Sequence, residues 1–175
     1  MTSHDHRQLP PALAAVAAVA FDYADGEGVD YEPYPAFLSA AETTDSFRAW
    51  TGNSEVTGES LRIFGMDGTG GHAAFWLVRT DQPLTDQPIV FLGSEGETGV
   101  VARDLDSFLW LLADGMGPYE AIDPRVRDRA PRPNPELTAV AAQFARTPHQ
   151  SAAEVLRVAS EEFPDFEDTL MSLCR

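Results

Sequence analysis

The run Leu61-Arg62-Ile63-Phe64-Gly65-Met66-Asp67-Gly68-Thr69-Gly70-Gly71-His72-Ala73-Ala74-Phe75-Trp76-Leu77-Val78-Arg79 sets the architecture of the chain. Its two arms, Leu61–Gly65 and His72–Arg79, are apolar on both alternations, with Ala73, Phe75 and Leu77 on one side and Ala74, Trp76 and Val78 on the other. A strand apolar on both sides is normally covered on both. The glycines between the arms suit a tight reversal with positive φ, so the pair is predicted to be an antiparallel hairpin. Working outward, Ile89–Leu92 and Val100–Ala102 read as two more short buried strands, separated by a second glycine-rich acidic loop, Gly93–Gly99. Asp104 then caps a helix with a stripe of Leu105, Phe108, Leu109 and Leu112, widened by Trp110 and Leu111 and closed at Gly115.

Upstream, Pro10-Pro11 opens a helix with apolar positions Leu13, Val16, Ala17, Ala20 and Phe21. Its alanine-rich run also invites a secretory-signal reading, which the missing positive excess in Ser3–Arg7 and the early Asp22 and Asp25 oppose. Ala36-Phe37-Leu38 reads as a helical turn, and Thr44 or Asp45 as the cap of a second helix ending at Gly52-Asn53. Downstream, the proline and arginine content of residues 118–135 predicts a surface linker, with Arg125, Arg127, Arg129 and Arg132 pairing with the protein's own carboxylates or forming a basic patch. Residues 136–175 read as two or three short helices packed back on a domain spanning residues 1–117. The chain thus combines short strands with helices and ends in a helical C-terminal extension.

The chain has 175 residues, 28 acidic and 12 basic, for a net charge of −16, and every basic residue is an arginine. Residues 1–60 carry 10 acids against 2 arginines and residues 61–120 carry 9 against 3, whereas residues 121–175 carry 9 against 7, so the first two thirds make the acidic surface. That balance repels nucleic acid and anionic membranes. The single Cys174 excludes an internal disulfide, and a reducing compartment, the cytoplasm, is the expectation.

Gly68-Thr69-Gly70-Gly71 lacks the lysine and the following helix of a phosphate loop and reads as a turn. His4, His6, His72 and His149 are scattered without zinc-site spacing, and Asp67, Glu95 and Glu97 lack the spacing of a calcium loop. No nucleophile elbow surrounds Ser94, which follows its glycine directly. The candidate partner-contact residues are therefore Asp67, Glu95 and Glu97 on the two glycine loops, with Trp110 at the flank of its helix. The bland reading of the loops is two solvated turns. A small hydrolase using Asp67, Ser94 and Glu95 in a cleft between the loops is the competing one.

Three stretches resemble the SUKH superfamily, which contains yeast cell-wall-synthesis regulators and many bacterial immunity proteins. They are Tyr34-Pro35-Ala36-Phe37-Leu38, Phe64-Gly65-Met66-Asp67-Gly68-Thr69-Gly70-Gly71, and Ile89-Val90-Phe91-Leu92-Gly93 leading to Asp104-Leu105-Asp106-Ser107-Phe108-Leu109. The chain departs from that pattern at Pro33 and at Ala41-Glu42-Thr43, and the part after Gly117 falls outside it. The resemblance implies an α+β domain, a mostly antiparallel sheet with helices against it, without cofactor, that binds other proteins, in bacterial members often a toxin made by the same cell. An acidic inhibitor steers quickly onto a basic, nuclease-like toxin, so charge and resemblance point to the same partner. A regulatory or assembly protein without a toxin partner is the alternative.

Overall fold

The computed structural model describes residues 7–175; His4 and His6 lie outside them. Five strands form one sheet in chain order: β1 (Glu32–Pro33), β2 (Leu61–Met66), β3 (His72–Trp76), β4 (Ile89–Leu92) and β5 (Thr98–Ala102). Every neighbouring pair is antiparallel. The β2–β3 hairpin closes from Met66 opposite His72, and a bulge at Phe64 shifts its register.

Both faces of the sheet are covered, as the doubly apolar strands require. Phe64, Ala73, Phe75, Phe91 and Val101 pack with α1 (Pro11–Ala17), α3 (Leu105–Ala113), α5 (Pro135–Phe144) and α6 (Ala152–Glu162). Ile63, Ala74, Val90 and Leu92 pack on the other side, against Phe47 and Trp50 of α2 (Ala40–Thr51) and Phe166 and Leu170 of α7 (Phe166–Met171). Ala73 with Phe75, and Ala74 with Trp76, divide between the faces as the alternation predicts. Beyond Trp76 the prediction fails. Neighbouring strands begin at Leu61 and Ile89, opposite Trp76 and Phe75, so beyond one bond from the Leu77 amide to the Ser60 carbonyl the chain leaves the sheet, and Leu77 and Val78 lie exposed.

Three helical expectations are corrected. α2 starts at a Ser39 capping box, in which the Ser39 hydroxyl accepts from the Glu42 amide and the Glu42 carboxylate accepts from the Ser39 amide. Two satisfied amides outweigh the single one a Thr44 or Asp45 cap offers. Residues 36–38 form no helical turn, because their amides are taken by tertiary partners: Phe37 donates to the Arg7 carbonyl and Leu38 to the Ile63 carbonyl. α1 stops at Ala17, although Val19 and Phe21 still pack on the core.

The expected linker is also corrected in part. Its first residues form α4 (Pro118–Ile122), with Pro118, Glu120 and Ala121 buried and the helix lying on β4 and β5. Its last residues are pinned to α3, where the Arg132 amide donates to the Asp114 carbonyl and the Asn134 amide to the Ala113 carbonyl. Two of its four arginines pair with the protein's own carboxylates, Arg125 with Asp123 and Arg132 with Glu27, and Arg129 donates to the carbonyls of Gly26 and Gly28. The C-terminal helices α5, α6 and α7 fall where the sequence places them, two of them behind side-chain caps at Asn134 and Ser151. No helix among the described residues is long and apolar enough to cross a membrane.

Candidate functional site

The antiparallel register His72–Leu92 puts the β2–β3 turn and the β4–β5 turn at the same end of the sheet. The turns touch: the Ser94 hydroxyl donates to Thr69 Oγ1 at 2.9 Å. Ser94 is therefore engaged with a threonine and not with His72. A groove of about 670 Å³ lies elsewhere, along β5, and the two turns do not line it.

Each turn is braced from below. Asp67 is 1% exposed, and its carboxylate accepts from the amides of Thr69 (3.1 Å) and Gly71 (2.7 Å) and from the Thr69 hydroxyl. This is an aspartate organising its own turn. It is corrected here from a partner contact to a support. Asp30 accepts from the Gly68 amide at 2.8 Å, tying the turn to the segment before β1. On the opposite side of the sheet, Trp50 of α2 donates its indole N–H to the Gly93 carbonyl at 2.7 Å. The half-buried Glu97 folds back so that its Oε2 accepts from the Glu95 amide at 3.1 Å. Glu95 is left exposed at the tip. Beside it, Gly70 and Gly96 hold positive φ, and a Cβ added at either would meet nothing within 4 Å.

Trp110 is not part of this surface. It is 7% exposed, its indole N–H donates to the Thr147 carbonyl at 3.2 Å, and the His149 ring stands edge-on to it with centroids 5.2 Å apart. The stripe on α3 has no exposed flank because α5 and α6 cover the side that the sheet leaves free; all nine of its residues are buried.

Two supporting residues carry no sequence signal of their own. Trp50 reads only as an aromatic of a helix, and Glu120 only as a surface acid. Glu120 is in fact buried; its Oε1 accepts from the Asp30 amide at 2.6 Å while its Oε2 has no partner. Burial pushes its carboxyl above the ordinary range, against the pull of the Asp30 amide bond, with the Asp30 charge adding to the rise. Burial likewise lowers the His72 imidazole, which the Asp67 carboxylate partly offsets. His149 approaches Asp114 at 3.6 Å, but the second Asp114 oxygen is held by the Ala152 amide. Among the described residues no group of three or more His, Cys, Asp or Glu side chains is placed to hold a metal ion.

The arrangement is thus a rigid rim: two clamped turns with bare glycine tips and a projecting carboxylate. No family model, curated protein or solved structure matches the chain.

Proposed function

We propose that the chain is a non-enzymatic protein-binding module of the immunity type, acting in the cytoplasm, and that it meets a basic protein through the rim at Glu95 and Glu97. The observation that carries this reading is the clamped pair of turns. Their backbone is held by Asp67, Asp30, Trp50 and the Ser94–Thr69 bond, so little ordering entropy remains to be lost on association. Open glycines let a partner approach the backbone, and a net charge of −16 supplies long-range steering toward a basic surface. The resemblance to the SUKH superfamily supports the same class of partner, a toxin with a nuclease-like basic face.

The test has two parts. Co-expression of this chain with a basic toxin encoded beside it should restore growth, and absence of protection removes the immunity assignment in favour of a regulatory or assembly role. With the captured partner, Glu95→Gln combined with Glu97→Gln should slow association by about tenfold and flatten its salt dependence, because rim charges act mainly on the on-rate. An unchanged rate and salt slope would take the rim out of the interface.

A further inference from the structure

Tyr23 is the most exposed of the large apolar side chains among the described residues, at 55% against 41% for the next, Val78. No ring pair and no hydrogen bond among those residues engages its side chain, which lies along its own loop, 3.5 Å from where a Cβ at Gly26 would stand. Tyrosine is among the residues that protein interfaces bury most.

The ring stands on a loop that is bent against preference and tied down. Ala24 and Asp25 hold φ of 46° and 53°, left-handed values that a β-carbon disfavours, and alanine has no polar side chain to compensate. The Ala24 amide donates to the Asp22 carboxylate at 2.8 Å and the Gly28 amide to the Tyr23 carbonyl at 3.0 Å. From far along the chain, Arg129 donates to the carbonyls of Gly26 and Gly28 at 2.9 and 3.3 Å, and Arg132 to the Glu27 carbonyl at 2.6 Å. Tertiary contacts thus sustain the bend, and what they hold in place is the exposed ring.

The loop adjoins the rim. The Asp22 carbonyl accepts from the Val29 amide at 2.9 Å, and the following residue, Asp30, holds the Gly68 amide at 2.8 Å. Residues 22–30 contain four acids and no base. Glu27 is paired with Arg132, whereas Asp22 and Asp25 are exposed and in no ion pair among the described residues.

We propose that Tyr23 is the anchor for an arginine side chain of the basic protein that meets the rim, with Asp22 and Asp25 beside it to receive the charge. This rests on the reading of the rim as a surface for a basic partner and adds a point of specificity to it, because net charge alone accepts lysine and arginine alike. A planar, weakly hydrated guanidinium stacks on an aromatic face, whereas an ammonium is held more tightly by water. With the loop already fixed by Arg129 and Arg132, little order has to be gained at contact.

The probe is a blocked synthetic peptide of about eight residues, alternating glycine and arginine, long enough when extended to cover loop and turn together. It is compared with its lysine counterpart by titration into the full chain at low salt, followed by NMR of the amides and tyrosine rings. The arginine peptide should shift the Tyr23 ring and the Ala24, Asp25 and Gly26 amides, and should bind about threefold more tightly than the lysine peptide. Tyr23→Leu should abolish that preference, and Tyr23→Phe, which keeps the ring, should retain it. Arg129→Gln removes a positive charge and on that ground alone would tighten a cationic peptide; by loosening the loop it should instead weaken the arginine peptide about twofold or more. Glu95→Gln with Glu97→Gln should weaken both peptides by the same factor. The proposal is overturned by Tyr23 signals that stay still, by equal binding of the two peptides, by a preference for arginine that survives Tyr23→Leu, or by tighter binding in Arg129→Gln. Each of these reads the ring apart from net charge, so they strike the anchor while the rim stands or falls by its own association rate and salt slope.

Discussion

Glu120 shows how one residue can be misjudged from its type. An acid between Tyr119 and Ala121 reads as solvent-facing, yet it is 3% exposed and carries the Asp30 amide, and Asp30 in turn carries the Gly68 amide of the rim. Its carboxyl is raised chiefly by burial, so the folded state holds its proton more tightly than the unfolded chain does. The stabilisation tied to that proton is complete below the ordinary value near 4.5 and is lost as pH rises through the raised folded value. Glu120→Gln keeps the acceptor for Asp30 and removes the charge. It should raise the Tm at pH 7, with the advantage closing as pH falls below about 4, where the wild-type carboxyl is neutral in both states. A thermal-unfolding series from pH 7 to pH 4 checks this; a Tm gap that did not narrow would mean that Glu120 is not ionised at a cost. Asp67 carries a similar lesson. Its Asp-Gly-x-Gly context correctly marks a turn, but a turn aspartate can face out to a partner or in to its own amides, and the local sequence is the same for both.

At the scale of elements, local signals worked where the competing interactions were also local. The Asp104 cap, the left-handed Gly52 after α2 and the glycines of the two turns all lie within a few residues of what they control. Residues 118–135 failed in part because proline and arginine content reports exposure on average, whereas Pro118–Ile122 is buried by β4 and β5 from far earlier in the chain. The mostly exposed stretch is shorter than composition suggests, residues 124–131, since Arg132 and Asn134 cap the end of α3. Trypsin should therefore cut first after Arg125, Arg127 or Arg129, leaving the body intact, and early cleavage within residues 61–115 would show that this stretch is better protected than the sheet. Gly115 is the hinge of that junction. It holds φ +85, and a Cβ there would lie 2.1 Å from the Arg132 carbonyl oxygen, a backbone atom that cannot swing away. Gly115→Ala should cost about 1–3 kcal/mol and hasten the tryptic cut, as read by denaturant unfolding and a digestion time course.

At the scale of the molecule, the charge of −16 on 175 residues sets a measurable behaviour. Like charges repel more in the compact state than in the expanded one, so modest sodium chloride at pH 7 should raise the Tm by screening. The surface ion pairs that salt weakens, such as Arg157 with Glu154 and Glu161, are exposed and contribute little in return. A Tm that falls between low salt and about 0.2 M would show that specific pairs outweigh net repulsion.

The sequence by itself determined the β2–β3 hairpin, the order of the strands and helices after it and the helical C-terminal extension. Each of these follows from periodicity, caps and turn residues, which act over a few positions along the chain. Only the tertiary structure decided which faces remain free: Trp110 is sealed by the Thr147 carbonyl, Asp67 is turned into its hairpin, and Trp50 is fastened to Gly93. Apart from Asp67, whose inward turn is settled against its own hairpin, those outcomes rest on contacts between residues tens of positions apart. Burial and hydrogen-bond satisfaction there are settled by which elements meet, and no local pattern encodes that choice.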